Sequence, residues 1–219
     1  VLAVRQDDGS AQSEAPYTPA SQAAGIYQLT PDANGAASPA VGVRWGAVRP
    51  FVMTSGAQFR GSFDATRYSA VGPSALTSSE YTADFDKVKE LGARQSATRI
   101  PFATETARFW LENSPPQWMR VAVAMARAKS LNGWDEARLY AALHLSMCDA
   151  LIACYESKYF HAFWRPITSI RNAADDGNAA TTADASWVQL TDSTPSTPDY
   201  PSAHGAAGGA ASAVLIAVY

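Results

Sequence analysis

Cysteine and histidine are scarce in this sequence of 219 residues, with two of the first and three of the second. Cys148 and Cys154 stand six positions apart, so on a helix they point to different sides and cannot bridge locally. We read both as small buried hydrophobes. His144, His161 and His204 would suffice in number for a metal, but their spacings carry none of the short zinc signatures, and no metal site is expected. No apolar run reaches roughly 18 residues, so no membrane span is expected, and the apolar end, VLIAVY, is short. The net charge of -3 supplies no basic field, and no nucleic-acid partner is expected. No basic and apolar leader opens the chain at Val1, so a signal peptide is expected to have been removed or never to have been there. The hydrophobic share, 47%, is ample for the core of one large domain.

Regular structure is sparse in the first third. Pro16, Pro19, Pro31 and Pro39 break residues 1 to 45, which read as an extended surface segment pinned by Tyr17, Ile26, Tyr27 and Leu29. Residues 45 to 53 read as a short strand or buried extended stretch. Residues 54 to 79 read as loop, anchored by Phe59, Phe63 and Tyr68. The pattern Thr77-Ser-Ser-Glu80 predicts a capping box and a helix to Leu91, with Gly92 after it and a second, turn-rich helix over 94 to 100. Further helices are expected over 104 to 113 and 117 to 131. The longest should run from Trp134 to at least Tyr159, apolar on both sides and therefore central. His144 reads as a core histidine on it. Asp149 and Glu156 should pair with basic groups, Arg165 and Arg171 among the candidates. A polar loop over 172 to 199 is anchored by Trp187 and Leu190. The full calcium-loop pattern is absent from Asp175, Asp176, Gly177 and Asn178.

Two constellations carry chemistry. In KYFHAFWRP, Lys158 and Arg165 are seven positions apart and would share one face of a helix, at about 3.6 residues per turn. Tyr159, Phe160, Phe163 and Trp164 surround them. Two cations in an apolar wall call for a multiply charged oxyanion between them. In YPSAHG, a small-residue helix beginning near His204 offers free amides and a favourable dipole to an anion. Ser202 adds a hydroxyl, and His204 can hold or deliver a proton.

K-x6-R-P followed by P-S-x-H resembles the first two motifs of the superfamily of type 2 phosphatidic acid phosphatases and vanadium-dependent haloperoxidases. KYFHAFWRPITSIR, DDGN, YPSAH and WGAVRPF look most like its soluble haloperoxidase branch. The resemblance implies a mainly α fold, a helical bundle of the haloperoxidase and acid phosphatase type. It divides the chain into a loop-rich segment over 1–76 packed on a bundle portion over 77–219. It implies vanadate, or phosphate, bound by Lys158, Arg165, Ser202 and the amide of Ala203, where the family usually has glycine. Lys158, Arg165 and His204 would be catalytic, His204 in acid–base work. The third motif, with a further arginine and histidine, lies C-terminal to the second. We therefore expect a partial chain, with that motif supplied by further residues, a second chain or a fragment. With a complete site, the expected activity is oxidation of halide by hydrogen peroxide, in a secreted or periplasmic protein. The alternatives are a phosphomonoester hydrolase using the same cage and a non-catalytic subunit. Thr197 stands seven residues before His204, where chloride and bromide peroxidases tend to have an aromatic or histidine, and leaves the halide open.

Overall fold

The C-terminal helix is the simplest place to see why this chain folds as it does. A computed structural model describes residues 2–12, 14–31, 35–60 and 72–218. In it the helices are α1 (Leu2–Arg5), α2 (Ser79–Leu91), α3 (Pro101–Phe109), α4 (Ser114–Ala128), α5 (Gly133–His161), α6 (Pro166–Arg171) and α7 (Ala203–Val218). Ala207, Ala211 and Leu215 recur every four residues along α7 and are buried against Leu139, Leu143 and Met147 of α5. Alanine at two of these positions lets the helix axes approach closely. Ala122 and Ala126 of α4 close the same core. Each buried leucine contributes about 1.5–3 kcal/mol. Among the described residues there is no sheet, only isolated bridges. The fold of the described residues is therefore mainly α, a helical bundle.

A second core gathers Leu76, Tyr81, Phe85, Trp164, Ile167, Ile170, Ala173 and Trp187. It joins α2 and α6 to the 172–199 loop. Tyr81 donates to or accepts from Ser169 at 2.8 Å, and burial pushes its hydroxyl up to about 12. The expected loop anchor Trp187 is buried and donates to the Lys89 carbonyl at 2.8 Å.

α5 starts at Asn132, whose side chain accepts from the amides of Trp134 and Asp135. It spans 29 residues, long and apolar enough by length and composition to cross a membrane. Buried Asp149 and Lys158 are both partnered inside the protein, which is what a helix in a packed core requires. Gly46 lets the short 3-10 turn Trp45–Ala47 lie directly on α5: a Cβ there would fall 2.5 Å from Glu156 Cα.

Several expectations shift. The cap of α2 is Ser78, not Thr77, because Gly72–Thr77 already forms a 3-10 helix; the Ser78 hydroxyl accepts from the Tyr81 amide. Residues 94–100 are not helical. Their first amide is taken by the Val188 carbonyl, and the Arg99 guanidinium ties Leu91 to Thr104. α3 and α4 each begin three residues early, with proline in the first turn. The one-turn α1 was unforeseen in the N-terminal segment, and Trp45–Met53 is a turn followed by bends, not a strand. Phe59 is 70% exposed and anchors nothing, while Phe63 and Tyr68 lie outside the described residues. α5 is not buried all round: Ala137, Ala141, His144 and Leu145 are exposed, so His144 is not a core histidine.

Of Asp149 and Glu156, both expected to pair with basic groups, Glu156 does so and Asp149 does not. Asp149 accepts from three successive amides, those of Phe51, Val52 and Met53, at 2.6, 2.8 and 3.1 Å. Glu156 takes Arg60 in a two-pronged pair, and Arg60 lies over the Phe160 ring at 3.8 Å. Neither meets Arg165 or Arg171 in these bonds.

Candidate functional site

Lys158 and Arg165 come together by a break in the helix. α5 ends at His161, and Ala162 adopts a left-handed conformation (φ 45°, ψ 45°). Such a conformation is costly for alanine and needs outside support. The N-terminal segment supplies it: the Tyr27 amide donates to the Ala162 carbonyl at 2.7 Å, Ile26 bridges Phe163, and the Trp164 amide donates to the Gly25 carbonyl at 3.0 Å. Arg165 then becomes the N-cap residue of α6, with Pro166 in the first turn. The two cations therefore sit on different elements, not on one face of a single helix.

Lys158 is only 2% exposed. Its ammonium donates to the carbonyls of Pro198 at 2.6 Å and Asp199 at 3.0 Å. Burial, with the nearby charge of Arg165 second, lowers its pKa to about 8. Arg165 donates from Nε to the Thr197 carbonyl at 2.6 Å, from Nη2 to the Thr197 hydroxyl at 2.7 Å, and from Nη1 to the Asp199 carboxylate at 3.0 Å. The Asp199 amide donates to the Phe163 carbonyl at 2.9 Å. One short segment, 197–199, thus serves both cations. Of the expected aromatic wall, Trp164 is buried, whereas Phe160 is 59% exposed.

Ser202 and Ala203 stand at the start of α7, after a cis Tyr200–Pro201 bond. The Ser202 oxygen accepts from the Gly205 amide at 3.1 Å, so its own O–H points elsewhere as a donor. His204 belongs to the other flank. Its Nε2 lies 2.9 Å from the Glu112 carbonyl, and its ring meets Trp110 edge to face. A carbonyl only accepts, so Nε2 carries the proton and Nδ1 is left to take or give one. The Cys154 thiol, one turn before Lys158, is buried and reaches the Pro201 carbonyl at 3.6 Å; burial raises its pKa.

A cleft of about 470 Å³ opens beside Arg165 and Asp199, with Lys87 and Arg99 also on its wall. Three cations against one carboxylate make it attractive to anions. The sequence reading missed Asp199 and the Thr197 contacts. The available signal was the acid in PDYPSAH, close enough in sequence to the second constellation to partner a buried arginine.

Residues 138–219 match the family described as the VCPO second helical-bundle domain. Vanadium chloroperoxidase of Curvularia inaequalis is 27% identical over 141 residues, covering 54% of this chain and 22% of that protein. The crystal structure described as that of the first bacterial vanadium-dependent iodoperoxidase matches with a TM-score of 0.72 and 26% identity, covering 98% of this chain and 50% of its own. Sequence and fold similarity together support a protein of the superfamily of vanadium-dependent haloperoxidases and type 2 phosphatidic acid phosphatases, partial relative to its full-length members. The chain spans half the length of the iodoperoxidase chain and under a quarter of the Curvularia protein.

The donor set suits the oxyanion of that superfamily. An ammonium has three N–H groups and a guanidinium five. Among the described residues, Lys158 commits two and Arg165 three, so both keep donors for an anion. No group of three or more His, Cys, Asp or Glu side chains gathers as for a cationic metal among the described residues. Vanadate is an anion and calls on donors of the opposite kind.

Proposed function

We propose that this superfamily member binds a vanadate- or phosphate-like oxyanion at Lys158 and Arg165 and, with vanadate, oxidises halide with hydrogen peroxide. The observation that carries the reading is the buried ammonium of Lys158 beside an Arg165 guanidinium that is fixed by Thr197 and keeps spare N–H groups. Lys158 and Arg165 hold the anion's oxygens and neutralise its charge. The Ser202 hydroxyl and the Ala203 amide add neutral donors at the positive end of α7. His204 holds its ring by Nε2 on the Glu112 carbonyl and moves a proton at Nδ1. Vanadate, when bound, supplies the electrophilic centre at which peroxide oxygen is passed to halide.

The test is an assay of the full-length protein with orthovanadate, hydrogen peroxide and each halide, beside an assay of phosphomonoester cleavage. Halide oxidation should depend on added vanadate and disappear in Arg165→Ala. Phosphoester cleavage that vanadate inhibits, with no halide oxidised, would replace this reading by the phosphomonoester hydrolase that shares its cage. Neither activity would leave a non-catalytic anion-binding protein.

A further inference from the structure

We propose that Asp199 is a built-in counter-ion of the oxyanion site, competing with the incoming anion for Arg165 and setting how tightly that anion is held. The inference rests on the oxyanion reading above and deepens it. Asp199 touches both cations: its carboxylate accepts from Arg165 Nη1 at 3.0 Å, and its carbonyl accepts from Lys158 at 3.0 Å. Its amide, bonded to the Phe163 carbonyl at 2.9 Å, pins the main chain. The side chains of the ion pair are unequal. That of Asp199 is 39% exposed and that of Arg165 only 13%. The guanidinium is also gripped by the Thr197 carbonyl and hydroxyl. The carboxylate therefore has room to turn into the cleft of about 470 Å³ it borders, while the guanidinium stays in place.

The consequence is electrostatic. A buried and a half-buried cation together would bind a dianion very tightly and would be hard to desolvate alone. One carboxylate reduces their net charge and occupies one Nη1 donor, so an oxyanion is left the spare N–H groups or must displace the carboxylate to gain that one. Asp199 thus makes the cation pair tolerable and the anion exchangeable. A residue that merely aimed Arg165 would have the opposite effect on affinity when removed, so the sign of the change decides the matter.

The experiment is calorimetric titration of inorganic phosphate into the full-length protein, wild type and Asp199→Asn. Asparagine keeps the shape and both main-chain bonds. Phosphate should bind D199N roughly three- to fivefold more tightly, the size of a partly screened ion pair. Asp199→Ser, which removes both charge and reach, should show the same sign and serves if D199N does not fold. Asp84→Asn removes an equal charge from a neighbouring cleft that Asp199 also lines, and should change affinity less. Weaker or equal binding in the Asp199 variants, with binding still lost in Lys158→Met, overturns the counter-ion and leaves the oxyanion site standing. Wild-type binding in Lys158→Met overturns the site, and the counter-ion with it.

Discussion

The two cores of the molecule are built on opposite plans. The α4–α5–α7 core is aliphatic and alanine-rich, and its residues repeat every three or four positions along regular helices. The core around α2 and α6 is aromatic, and it draws Leu76, Trp164 and Trp187 from segments far apart in sequence. The first needs only helical periodicity to assemble. The second needs loops to arrive in register, held by bonds such as that from the Trp187 indole to the Lys89 carbonyl. Lys158 lies at the end of the helix that serves the first core. Arg165 directly follows Trp164 of the second. The cation pair is thus formed at the seam, which explains why its geometry is irregular while both its flanks are packed.

Replacing a residue on each side of that seam should separate the two roles. Trp164→Ala should cost about 3–5 kcal/mol in urea unfolding. It should also weaken phosphate binding in the protein that remains folded, because the indole adjoins Arg165. Leu143→Ala, deep in the helical core, should cost about 2–5 kcal/mol and leave phosphate affinity unchanged where the variant is folded. Equal loss of binding in both would erase the distinction between the cores.

A smaller effect should follow from titrating Lys158. Its folded pKa of about 8 lies below the ordinary 10.5. The ammonium that attracts the anion is present below about pH 8 and discharges above it. Phosphate affinity should therefore fall by up to about tenfold per pH unit above pH 8. Stability moves the other way. Between pH 8 and 10.5 the unfolded chain holds more protons at this residue, so its contribution to stability rises with pH. Ser78→Ala, which removes the cap of α2 at the edge of the aromatic core, should cost about 1 kcal/mol and leave binding untouched.

The same contrast governs what could be read from the sequence. The long helix and the small-residue helix after YPSAH were legible, because periodicity is a local property. The break at Ala162 was not, since an alanine in left-handed conformation depends on residues 25–27 far upstream. Asp149 was expected to find a basic side chain and instead holds three main-chain amides, a partner without a sequence signature. His144 fell on an apolar stripe, yet Ala137, Ala141, His144 and Leu145 of that stripe are exposed, and burial begins only further along it, at Ile152. Arg165 was marked as needing an anion, and the Thr197 and Asp199 partners it takes within the protein depend on the fold of a polar loop.

The most direct test of the account is orthovanadate binding by the full-length protein, followed by calorimetry in wild type, Lys158→Ala and Arg165→Ala. Removing one member of a buried charged pair typically costs about 2 kcal/mol or more, so each variant should bind at least about 30-fold more weakly. Wild-type affinity in both variants, with the fold intact, would contradict the claim that these two cations form the anion site.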